Sequence, residues 1–117
     1  MQKQSDTRAP RRYITQIVAF HRWLKSHYLP PNAQLMWSRM IALFNECGWP
    51  ATVQIDSWRL AAMIGSQTEK TALLARDKLV EAGFLHYEKG GKGCPNRYEM
   101  LWFPDPREET DSTLDSK

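Results

Sequence analysis

Nowhere in the 117 residues does an apolar run exceed a few positions. A membrane-spanning helix needs roughly 20, so none is expected. The opening MQKQSDTRAPRR is polar and no apolar block follows it, so no secretory export is implied. Cysteine is scarce: Cys47 and Cys94 stand far apart with no CxxC spacing. His21, His27 and His86 do not pair with them at any metal-ligand spacing. Two reduced thiols in a cytoplasmic protein, with no metal and no cofactor, is the reading these absences favour. Enzyme signatures are missing as well: there is no GxxxxGK[ST], no HExxH and no GxSxG. The paired carboxylates Glu108 and Glu109 lie in a polar tail without the fixed geometry that acid–base work requires. The chain is expected not to be an enzyme.

What is present suits one domain. Apolar residues make up 42% of the chain, enough for a core, and the mean hydropathy is -0.58. The net charge of +3 hides an asymmetry. Residues 104–117 hold five acids and two bases, so the remaining 103 residues carry +6. A basic body with a short acidic end fits a polyanionic partner.

Residues 1–12 show no periodicity and read as a disordered basic arm, followed by a domain over 13–103 and an acidic, disordered tail or linker over 104–117. Within the domain, Ile14, Ile17, Val18, Phe20, Trp23 and Leu24 have helical spacing, predicting a helix over 13–28. After Pro30-Pro31, Asn32 is placed to cap a second helix that runs to about Cys47 and stops at Gly48. Thr52–Ile55 alternates like a short strand. Asp56 or Ser57 caps a helix ending at Ile64, with Trp58, Leu60, Ala61 and Ile64 facing inward. Gly65 makes a turn, and Ser66 with Glu69 matches the S-x-x-E capping box of a helix running to Ala82. Leu79 centres its inner face beside Ala72, Ala75, Val80 and Ala82. Residues 84–88 and 97–102 then pair as a hairpin around a glycine-rich, cationic tip. This order predicts a mostly α (α+β) winged helix-turn-helix with two additional N-terminal helices and a C-terminal β-hairpin wing.

That architecture puts the first half of the 66–82 helix toward a DNA major groove. Ser66, Gln67, Thr68, Lys70 and Thr71 supply short polar or cationic groups for base edges and phosphates. Lys89, Lys92 and Arg97 in the wing sit among glycines that let the backbone pass close to a sugar–phosphate chain. Arg8, Arg11 and Arg12 form a third patch, either an arm along the minor groove or a solvated tail. Glu69, Asp77 and Glu81 would repel DNA if they faced it. Only the N-terminal half of this helix enters the groove in the winged-helix pose, which makes the late acids tolerable. On its outward side, Leu74 has three readings: a thymine-methyl contact, a subunit contact, or a register off by one. No aromatic is placed on an exposed strand face for stacking, which favours duplex over single-stranded DNA.

With these residues laid out, the chain resembles the N-terminal winged-helix domain of DnaD-like primosomal proteins. It is especially similar to versions from phage replisome organisers and mobile elements of Gram-positive bacteria. The resemblance rests on Phe20-His-Arg-Trp23-Leu, Ala33-Gln-Leu-Met-Trp37, Leu43-Phe-Asn-Glu-Cys-Gly48-Trp-Pro50, Ala75-Arg-Asp-Lys-Leu79-Val-Glu-Ala-Gly83-Phe-Leu and the wing leading to Tyr98. It spans about 13–102, and the stretch from Trp37 to Pro50 is its most specific part. It implies a DNA-binding, self-associating module in replication initiation, working near the nucleoid with a replication or helicase-loading partner. Self-association is expected through Ile14, Ile17, Phe20 and Leu24, giving a homodimer or higher homo-oligomer. Members of that family usually continue into a second helical domain, whereas this sequence stops at Lys117. Two rivals stand beside this reading: a winged-helix transcriptional regulator, and an oligomerisation scaffold that does not touch DNA.

Overall fold

The computed structural model describes residues 2–104, with side chains described from Arg12 onward. The helices are α1 (Gln2–Leu24), α2 (Pro31–Glu46), α3 (Ser57–Met63) and α4 (Glu69–Glu81). Three strands, β1 (Val53–Ile55), β2 (Leu85–Glu88) and β3 (Asn96–Met100), form an antiparallel sheet in the order β1-β3-β2. Together they make one α+β domain. The expected tail beyond Pro104 lies outside the described residues.

Helix α1 begins at Gln2 rather than Tyr13, so the segment expected as a disordered arm continues the helix backbone. The helix ends at Leu24, short of the expected Tyr28. His27 folds back, its Nδ1 3.0 Å from the Trp23 carbonyl oxygen, and its ring stacks on Trp23 at 4.2 Å. Asn32 does not cap α2. Pro30 takes the cap position and Pro31 the first helical one, with the Pro30 carbonyl accepting from the Ala33 and Gln34 N–H groups at 3.0 Å. A proline there has its φ preset and lacks only a hydrogen that would be unsatisfied anyway. At the other end, Gly48 and Trp49 both take left-handed φ, 84° and 62°.

The core lies where α1, α2 and α4 close over one face of the sheet. Phe20 stacks on Trp37 with ring centroids 3.9 Å apart and meets Phe84 edge-on at 5.3 Å. Met36, Met40, Ile41 and Phe44 of α2 are all buried. Ala72 and Ala75 of α4 are buried, as their small size led one to expect, and Leu79 is fully enclosed. Strand β3 alternates strictly: Tyr98 and Met100 point into the core while Arg97 and Glu99 face out, the period-two signature of a half-buried strand.

The end of β3 is fastened to α1 by one side chain. Gln16, 4% exposed, donates from Nε2 to the Phe103 carbonyl at 3.0 Å and accepts the Phe103 N–H at 2.8 Å. It satisfies both backbone groups of a residue that no strand partners.

Candidate nucleic-acid interface

Helix α3 opens on Asp56, whose carboxylate accepts the Arg59 N–H at 2.8 Å, a good N-cap. Leu60, Ala61 and Ile64 turn inward as expected. Trp58 does not: it is 64% exposed. In a seven-residue helix whose inner face is already set by Leu60, Ala61 and Ile64, position 58 lies about a quarter-turn or more off that face. At Gly65 the chain reverses with φ of 66°, a value that costs a non-glycine residue about 1 kcal/mol or more.

The turn then takes three residues, and the expected Ser66–Glu69 box does not form. Thr68 is the N-cap of α4, its hydroxyl accepting the Thr71 N–H at 3.3 Å. Ser66 instead ties the turn to itself, accepting from the Thr68 N–H at 3.1 Å and donating to the Thr68 carbonyl at 2.8 Å. Ser66, Thr68 and Thr71 therefore spend their hydroxyls holding the turn and the helix start. Gln67 and Lys70 are exposed with no hydrogen-bond partner among the described residues, which leaves them as the groups of this turn available to a ligand.

The register of α4 is as expected: Lys70, Leu74, Asp77 and Glu81 all lie on the exposed side, with Leu74 58% exposed. The register-error reading of Leu74 is thereby removed. The two acids are not bare. Asp77 takes the Arg76 guanidinium at 2.9 Å, and Glu81 lies 3.7 Å from Lys78.

Arg76 itself was not anticipated as a structural residue. It is 8% exposed, lies 4.3 Å over the Tyr87 ring and donates to the Tyr98 hydroxyl at 3.4 Å. Burial alone would lower its pKa, but the hydrogen bonds to Tyr98 and Asp77 together raise it above the ordinary guanidinium value. The charge is permanent, and it joins α4 to both strands of the hairpin. The only sequence signal was a cation three positions before Leu79 on the inner-face side of an otherwise small-residue stripe.

The hairpin tip is shaped by Gly90 and Asn96. Asn96 Oδ1 accepts the Gly90 N–H at 3.1 Å, and a Cβ on Gly90 would run into the Cys94 and Pro95 carbonyl oxygens. Lys89 and Lys92 are exposed at this tip. Arg97 is exposed too but lies 3.4 Å from Glu88 across the hairpin. Between the tip, α4 and the start of α3 lies a polar cleft of about 430 Å³, lined in part by Asp56, Ser57, Leu73, Arg76, Pro95 and Asn96. Residues 52–71 and 89–97 carry five cations against two carboxylates. The arrangement offers ammonium and amide groups beside a glycine-rich backbone, a chemistry suited to phosphate and base edges.

The remaining expected site residues fall elsewhere. Arg12 packs its guanidinium 5.2 Å over the Trp49 ring, while the side chains of Arg8 and Arg11 lie outside the described residues. On α1, Phe20 is 2% exposed and belongs to the core, so it is withdrawn from the self-association face. Ile17 and Leu24 are half-buried against the same core, because the stripe packs on α2. Ile14, 61% exposed, and Val18, 49% exposed, form what remains of an open apolar surface there. No helix among the described residues is long and apolar enough to cross a membrane. Comparison of the chain with protein-family models, with curated proteins and with solved structures gave no match.

Proposed function

We propose that the chain is a winged helix-turn-helix module that binds duplex DNA, with the start of α4 in the major groove and the β2–β3 tip on the backbone. The observation that carries this reading is the order α3, Gly65 turn, α4 and cationic, glycine-rich hairpin, in which the start of α3, Leu73 and Arg76 of α4, and the hairpin tip share one polar cleft. Gln67 and Lys70 address the groove, and Lys89, Lys92 and Arg97 neutralise phosphates. Ion pairing of Asp77 and Glu81 with their own helix neighbours reduces the repulsion those acids would exert. The process we propose is replication initiation on a phage or mobile element, as a self-associating DnaD-like module; this step rests on the resemblance of residues 13–102 alone.

A scaffold reading has its own support in exposed Leu74, Ile14 and Val18, which are the kind of residues that meet a partner protein. Fluorescence anisotropy on random-sequence duplex across a salt series separates the two. DNA binding through these cations predicts a log–log slope of about -3 to -5. Absence of binding even at low salt would leave the scaffold. A regulator with a defined operator would instead show roughly 10³-fold or greater preference for one sequence.

A further inference from the structure

Five tryptophans are present in the sequence, and four of them engage another aromatic ring. Trp23 meets Phe84 and His27, Trp37 stacks on Phe20, and Trp49 and Trp102 meet each other edge-on. Trp58 has no such neighbour among the described residues and is 64% exposed. Leaving so large an apolar ring in water forgoes the favourable burial that the other four tryptophans obtain. Its setting is specific. It follows Asp56 and Ser57, which line the cleft shared by α4 and the hairpin tip, and Arg59 beside it is exposed. The surrounding segments 52–71 and 88–97 carry five cations against three carboxylates, one of them Glu88 beside Arg97, so a polyanion suits this surface better than an acidic protein face.

We infer that Trp58 is a stacking platform for an unpaired base, so that the DNA form the site takes is a duplex adjoining single strand rather than continuous duplex. This rests on the DNA-binding reading above and narrows its ligand. Inside a duplex the faces of paired bases are covered by their neighbours in the stack, so away from a duplex end an indole finds a free π-face only where a base is unpaired. The cations of α4 and the hairpin hold the duplex phosphates, and the indole holds the first base beyond the paired region. Stacking of this kind tolerates any base, so the preference is for a DNA structure and not for a sequence.

The test uses the full chain with two probes at one ionic strength: a blunt duplex, and the same duplex carrying a single-stranded extension. The wild-type protein should bind the extended probe about fivefold or more tightly than the blunt one. Trp58→Ala should remove that excess while leaving blunt-duplex affinity nearly unchanged, and Trp58→Phe should keep most of it. Equal affinity for both probes, or an excess that survives Trp58→Ala, overturns the inference while the DNA-binding reading stands. Failure of the wild type to bind either probe at low salt would remove both.

Discussion

Replacing Arg76 with alanine removes a side chain that joins α4 to both strands of the hairpin. Four losses add up, one of them small. The guanidinium lies 4.3 Å over Tyr87 on a side chain only 10% exposed, a setting in which a cation–π contact contributes about 1 to 2 kcal/mol. Tyr98 is 1% exposed, and depriving its buried hydroxyl of a donor costs about 1 kcal/mol, at the low end because the bond is long at 3.4 Å. The Asp77 pair adds little, since that carboxylate is 52% exposed. Loss of the packed aliphatic stem brings the expected destabilisation to about 3 kcal/mol. In a domain whose total stability is about 5 to 15 kcal/mol, this is readily measured by urea unfolding followed through tryptophan fluorescence. Arg76→Met restores the stem but no donor and should fall between wild type and Arg76→Ala. An alanine variant within about 0.5 kcal/mol of wild type would refute the latch.

Gly90→Ala should distort the hairpin tip, with a cost of about 1 to 3 kcal/mol and weaker duplex binding, because the new Cβ meets backbone oxygens rather than a yielding side chain; calorimetry and anisotropy together check it. Gly65→Ala has open space for its methyl but keeps φ of 66°, so melting should report about 1 kcal/mol of backbone strain and no more. Lys70→Ala combined with Lys92→Ala should flatten the salt slope by about 2 and leave the fold intact, whereas an unchanged slope would show that the phosphates are held by other cations. Arg76 has a raised pKa, so its stabilisation is complete below the ordinary guanidinium value and fades only as pH climbs past it. The gap between wild type and Arg76→Ala in urea midpoints should therefore be the same at pH 5 and pH 9.

Helix and strand positions were largely legible because their signals are local. The period of β3, the glycine turn at 65 and the small inner face of α4 each follow from neighbours along the chain. The errors came where a residue's fate depends on a distant partner. Phe20 looked like part of a sticky exposed stripe, and only the arrival of Trp37 from another helix makes it core. Trp58 looked like core because it is large and apolar, but α3 is too short to turn a fourth face inward. The helix starts slipped because two chemistries competed at each: Pro30-Pro31 displaced Asn32, and a turn needing three residues handed the cap from Ser66 to Thr68. In the candidate site, charge and glycine content marked Lys70 and the hairpin tip. Nothing in the local pattern marked Arg76 as buried or Gln16 as a clasp.

The Gln16 clasp gives one backbone hydrogen an unusual meaning. Phe103 lies past the end of β3, where amides ordinarily exchange on the timescale of local fraying. Its N–H is held by a side chain from α1 at 2.8 Å, so its exchange reports the opening of the contact between that helix and the segment after β3. Deuterium uptake at this single position therefore measures how firmly α1 is seated. A companion that drew the helix away would hasten that uptake, and one that clamped it down would slow it. Residue 103 is a native gauge of the N-terminal helix, readable in the unmodified chain.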